Sequence, residues 1–183
     1  VQKVALNVDM QPIVFSTNLL MYVFFGFALS ILALAVSDRL KSGMPGLMQV
    51  TAVIGIIWAG SLIASGMVSN AGLATIVPLY AKDPAQAVLV FQGIETVANG
   101  LGNANGEILG GIWTLLVSIA ALRTKGLPKA LNILGLVVGT VGIITIIPVL
   151  GTLVGIFGAG QIIWLVWLGI VLLRSRSQNV EGV

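Results

Sequence analysis

The 183-residue chain contains neither cysteine nor histidine, and only 8% of its residues are charged. Without cysteine there is no disulfide, no thiolate nucleophile and no iron-sulfur ligand, and the redox compartment is left open. Without histidine the usual zinc or haem ligand and the usual general base are missing. Together these absences exclude most redox and hydrolytic chemistry. An ordinary soluble domain carries about 25% charged residues, so the scarcity of charge also excludes a water-facing surface of the usual kind.

What remains is apolar: 57% of the residues are hydrophobic and the mean hydropathy is +1.08. This is the composition of a polytopic integral membrane protein. The net charge of +3 does not point to nucleic acid, because the basic residues stand in short loops beside apolar runs, where they read as a topology signal. The lipid bilayer is the expected partner, with other membrane protein subunits or a second copy beside it, and no nucleic acid. The opening VQKVALNVDMQ has no basic start, apolar centre and small-residue cleavage site of a signal peptide.

The expected fold class is all-α, a polytopic membrane helical bundle of about five transmembrane helices plus an outer amphipathic helix, in a single membrane domain over 1–183. Residues 13 to 36 run without a charge, which at about 1.5 Å per residue is enough for a hydrocarbon core of roughly 30 Å. Further spans are expected at 46–68, 105–122, 130–147 and 152–173. Pro45 suits a first helical turn. The segment 69–104 is read as an outer-face region, with a break at Gly72 and Pro78. Asp83, Pro84 and Gln86 follow as a helix start. From there to Leu122 one helix would be about 58 Å long, so a break is expected in the cluster of Gly100, Gly102, Asn103, Asn105 and Gly106. No cofactor is expected.

One stretch places polar groups inside this oily chain, QGIETVANGLGNANGEILGG at 92–111. At helical spacing, Gln92, Glu95, Thr96, Asn99, Asn103 and Glu107 form one stripe, with Gly102, Gly106 and Gly110 beside it at the four-residue spacing that lets membrane helices approach. Glu95 and Glu107 are candidates for an ion or proton route, but Glu95 more often reads as a residue of a solvated helix, and Glu107 is balanced between the two readings. The asparagines more often read as a turn. Gln161, alone in the last span, more often satisfies a neighbouring backbone. Gly135, Gly139 and Gly155 give the later helices small faces for packing, and Trp113, Trp164 and Trp167 more often pack than stack on a ligand.

With five spans, Arg39, Lys41, Arg123, Lys125, Lys129, Arg174 and Arg176 fall on one side, and only Lys3 and Lys82 on the other. That bias puts the C-terminus in the cytoplasm of a bacterial inner membrane, with the N-terminus and 69–104 outside. A translocated N-terminus without a signal peptide points to a further upstream helix.

The runs WAGSLIASG, then GGIWTLLVSIAALRTKGLPKALNILGLVVGTVGIITIIP, then GQIIWLVWLGIVLL resemble a bacterial family of multi-pass membrane proteins, domain of unknown function 4386. The resemblance covers about Leu19 to Leu173. It implies the multi-span architecture and one more N-terminal span, and it carries no activity, substrate or catalytic residue.

Two functions fit these features. The first is an accessory or structural subunit that docks on partner membrane proteins through glycine faces; the second is a carrier or channel for a small polar solute, proton or lipid that uses Gln92 to Glu107 together with Gln161. An intramembrane enzyme has little to catalyse with. On the first reading, Gly106→Leu or Gly139→Leu abolishes co-purification with partner subunits from native membranes, while Glu107→Gln leaves any associated activity unchanged.

Overall fold

Proline and aspartate set the helix starts. The structure, a computed structural model, describes residues 2–103 and 107–180, and among them it holds seven helices and no strand. Helix α1 is Gln2–Asp9. Helix α2, Gln11–Leu40, has Pro12 in its first turn, where a missing N–H is harmless, and a π-helical stretch at Leu19–Phe24. Helix α3, Pro45–Tyr80, spans 36 residues. Helix α4 is Pro84–Ala98, where the Asp83 carboxylate accepts the Gln86 N–H at 3.0 Å.

The break expected after α4 is made. A π turn at Asn99–Asn103 contains Gly102 at φ +123°, in the region that a Cβ disfavours. Helix α5, Ile108–Thr124, closes on Lys125 in the left-handed region (φ 54°). The Gly126 N–H then returns to the Ala121 carbonyl at 3.1 Å, which satisfies an orphan C-terminal acceptor. Helix α6, Lys129–Ile144, starts after Pro128. A 3-10 turn at Pro148–Leu153 leads into α7, Val154–Val180.

Three stretches are long and apolar enough to cross a membrane: Gln11–Leu40, Pro45–Tyr80 and Pro148–Arg174. Helices α5 and α6, of 17 and 16 residues, reach about 24 to 26 Å, a little short of the roughly 30 Å core. Helix α3 is longer than the expected 46–68 span because neither Gly72 nor Pro78 interrupts it. Pro78 lies in its last turn, where the missing donor forfeits a single bond. Gly72 is a packing site instead: a Cβ there would lie 2.5 Å from Ile94 Cγ2.

The chain divides into two compact units, one of residues 1–32 and 56–105, the other of residues 33–55 and 106–183. In the first, α1 packs Val4 and Val8 onto Ile76 of α3 and Ala87 of α4. Close approaches at glycine hold the long helices. A Cβ at Gly26 would stand 2.9 Å from the Ala59 carbonyl oxygen, and one at Gly66 would stand 2.6 Å from Tyr22 Cβ.

In the second unit the tightest seam lies between α5 and α6. A Cβ at Gly111 would meet the Gly139 carbonyl oxygen and the Ile143 nitrogen, each at 2.8 Å, and one at Gly139 would meet the Gly111 carbonyl oxygen at 2.7 Å. Backbone therefore touches backbone. Phe157 of α7 fills the space beside Gly142, with Cε2 2.6 Å from where a Cβ would stand. Gly155 is different: a Cβ there would meet nothing within 4 Å.

Many hydroxyls are spent within their own helix. Ser30 donates to the Gly26 carbonyl, Thr51 to Leu47, Thr75 to Ala71, Thr96 to Gln92 and Thr140 to Leu136, each four residues back. Large apolar side chains, among them Leu20, Phe24, Ile31, Met67, Ile162 and Ile163, are exposed.

The seam sets a test. Gly111→Ala forces two backbones apart and lowers stability by about 1–3 kcal/mol, whereas Gly155→Ala stays within about 0.5 kcal/mol of the parent. Reversible unfolding of the detergent-solubilised protein, followed by helical circular dichroism, separates the two.

Candidate functional site

Helix α4 turns part of the polar stripe toward its neighbours. Glu95 and Asn99, one turn apart, line a cavity of about 180 Å³ in the first unit, whereas Gln92 and Thr96 are exposed and lie outside it. Lys3 and Asn7 of α1, Asn18 of α2 and Ser69 of α3 supply the other polar walls. Leu73, Ile76 and Ile94 make the apolar part.

The charges in this cavity are opposite and adjacent. Lys3 Nζ donates to Glu95 Oε1 in an ion pair, and the same ammonium stands 5.7 Å from the centre of the Phe91 ring, within cation–π range. The Lys3 side chain is 65% exposed and that of Glu95 34%, so lysine forms the rim and the carboxylate lies deeper. A half-exposed pair of this kind is worth about 0–1 kcal/mol.

The amides are organised by neighbouring backbone. Asn7 Nδ2 donates to the Lys3 carbonyl at 2.7 Å, so one turn of α1 presents both residues together. Asn18 Nδ2 donates to Asn70 Oδ1 at 2.9 Å, and Asn70 Nδ2 donates to the Phe15 carbonyl at 3.2 Å. That chain of bonds ties α2 to α3 under the cavity. Ser65 donates to the Ala98 carbonyl at 2.9 Å, which ties α3 to the end of α4.

The remaining stripe residues go elsewhere. Glu107 stands at the start of α5 in the second unit, and its N–H donates to Thr145 Oγ1 at 3.0 Å. The Asn103 side chain, Asn105 and Gly106 lie outside the described residues. Gly102 serves the turn, with the position of its would-be Cβ 3.3 Å from Ser61 Oγ, and Gly110 is buried in α5. Gly135 faces Ser118 and the Trp164 indole.

Gln161 is buried in the second unit, where Thr114 Oγ1 donates to its Oε1 at 3.0 Å. Among the described residues its Nε2 has no hydrogen-bond partner, nor does Oδ1 of the buried Asn132. Around them Trp113 and Trp164 meet edge to face, with ring centres 5.7 Å apart. Trp164 Nε1 donates to the Leu131 carbonyl at 3.1 Å. These indoles are fully buried packing groups.

Sequence reasoning passed over Lys3, Asn7, Asn18 and Asn70. A signal for the first two was present: Lys3 with Asn7 and Val4 with Val8 are two i, i+4 pairs on adjacent faces of a short helix. Nothing in the spacing pairs Asn18 with Asn70, which are 52 residues apart.

Compared with known proteins, the chain matches no family model, no curated protein and no solved structure.

The Thr114–Gln161 bond provides a test. Thr114→Val leaves the buried amide with neither end bonded and destabilises by about 1–2 kcal/mol. Gln161→Leu removes the orphaned amine at similar volume and costs less. Thermal unfolding of both variants in the same detergent ranks them.

Proposed function

We propose that the chain is an integral membrane protein of five spans that takes a small polar solute into the cavity beside Glu95 and Asn99, as a carrier or binding protein without catalytic chemistry of its own. The observation that carries this reading is the cavity itself, where four helices bring ionic and amide groups around about 180 Å³. A dry pocket of about 150 Å³ holds benzene, so the space suits a solute of about six heavy atoms.

The orientation is part of the proposal: the C-terminus lies in the cytoplasm of a bacterial inner membrane, and 69–104 lies outside. In support, the two basic loops adjoin each other in the second unit. A Cβ at Gly43 would meet Thr124, one at Gly126 would meet Leu40, and Arg39 Nε donates to the Gly126 carbonyl at 3.4 Å. The count of five adds α5 and α6 to the three long helices as slightly short spans, which a thinned bilayer accommodates. The resemblance to the multi-pass family of unknown function belongs to the same reading.

One observation favours an accessory subunit as a second reading. Gly155 and Gly158 of α7 leave open space on a helix whose neighbouring Ile156 and Ile162 are exposed, a surface on which another membrane helix would fit.

Two experiments test the proposal. Alkaline phosphatase fused at residue 82 is active, and fusions at 42, 126 and the C-terminus are inactive; activity at 42 or 126 overturns the orientation. In reconstituted vesicles, uptake or binding of a panel of small polar solutes is lost in Glu95→Gln and kept in Glu107→Gln. No solute bound by the parent overturns the solute reading.

A further inference from the structure

We infer that the cavity takes a zwitterion, a small molecule or headgroup carrying an ammonium and a carboxylate or phosphate, with its ammonium on Glu95 and Phe91 and its anion on Lys3. This inference rests on the solute reading above and names the chemical class.

The Lys3 ammonium marks where a cation is held. It is paired with Glu95 and stands over the Phe91 ring, so carboxylate and ring together receive an –NH3⁺ group at that point. A ligand ammonium can take the same place. The lysine is then free to swing on its long stem toward the ligand's anionic end, since an exposed pair of this kind costs little to open. Every charge keeps an opposite partner before and after binding. A lone cation would leave Lys3 unpaired, and a lone anion would leave Glu95 unpaired; a neutral solute would gain nothing from either.

The burial gradient sets the direction. Glu95 is the deeper of the pair and Lys3 the more exposed, so the ammonium end enters first and the anion stays near the rim. Asn18 and Asn99 border the same space with amide N–H groups that can bond to carboxylate or phosphate oxygens. Leu73 and Ile76 leave an apolar wall for a short aliphatic group. A free amino acid and an ethanolamine phosphate headgroup share this chemistry.

The test uses the full chain in nanodiscs of phosphatidylglycerol, whose headgroup has no ammonium, with tritiated L-alanine as the probe. Ethylamine, acetate and lactamide serve as cation-only, anion-only and neutral competitors. Saturable alanine binding that none of the three displaces at equal concentration is the expected result, and Glu95→Gln and Lys3→Gln each weaken it about tenfold or more. Melting of the ligand-free variants checks that each folds.

In a second arm phosphatidylethanolamine replaces part of the lipid. A rise in melting temperature that Glu95→Gln abolishes, with no alanine binding, assigns the zwitterion to the lipid and supports the proposal. Lactamide or ethylamine binding as tightly as alanine overturns the zwitterion while leaving the solute reading standing. No ligand bound in any arm removes both.

Discussion

The backbone contact between Gly111 and Gly139 is the constraint on which the second unit depends. Among apolar surroundings the hydrophobic effect does not distinguish a helix from lipid, so association rests on dispersion and on groups that lipid cannot satisfy. Removing both side chains brings α5 and α6 to backbone distance. The same economy repeats where the indoles sit. Gly55 leaves room for Trp113, and Gly135 leaves room for Trp164, so the two largest fully buried side chains lie against the smallest residue. A methyl group at any of these positions forces a neighbouring backbone or packed side chain to shift.

The first unit is held differently. Its glycines also admit neighbours, as at Gly26 and Gly66, but amides and hydroxyls tie its helices across, from Asn18 to Asn70, from Asn70 to Phe15, and from Ser65 to the end of α4. Polar groups that reach one another's backbones leave less freedom for close packing. The cavity stands beside these ties, walled by residues that would lose hydration if the space closed. The cavity and the polar ties beside it are two results of one composition.

How much of this was legible depended on whether the determinant was local. Asp83 with Pro84 and Gln86 predicts a helix start and makes one, because the cap bond closes within three residues. The glycines near 102 predict a break and supply the positive φ. Pro78 misleads, because a proline forfeits one bond to the turn before it, and here the helix carries that loss and runs on for two more residues. Periodicity drew Gln92 to Glu107 as one stripe, but the turn at Asn99–Asn103 resets the helical phase before Glu107, and among the described side chains of the stripe Glu95 and Asn99 line the cavity. Which glycine enters a seam was not legible either. Gly110 and Gly111 are equivalent in sequence, and it is the partner helix that selects Gly111.

The hydroxyls that bond their own helix have a meaning for how such a chain presents itself to lipid. A serine or threonine whose proton is given to the carbonyl four residues back has no unmet donor to offer. As a donor it is close to an alanine or a valine. The long apolar helices are therefore more uniformly oily than their letters indicate, and few of the described hydroxyls bond a neighbouring helix: Ser65 and Thr114 donate across, and Thr145 accepts from the Glu107 N–H. What polarity these helices exchange with one another rests on a handful of such groups.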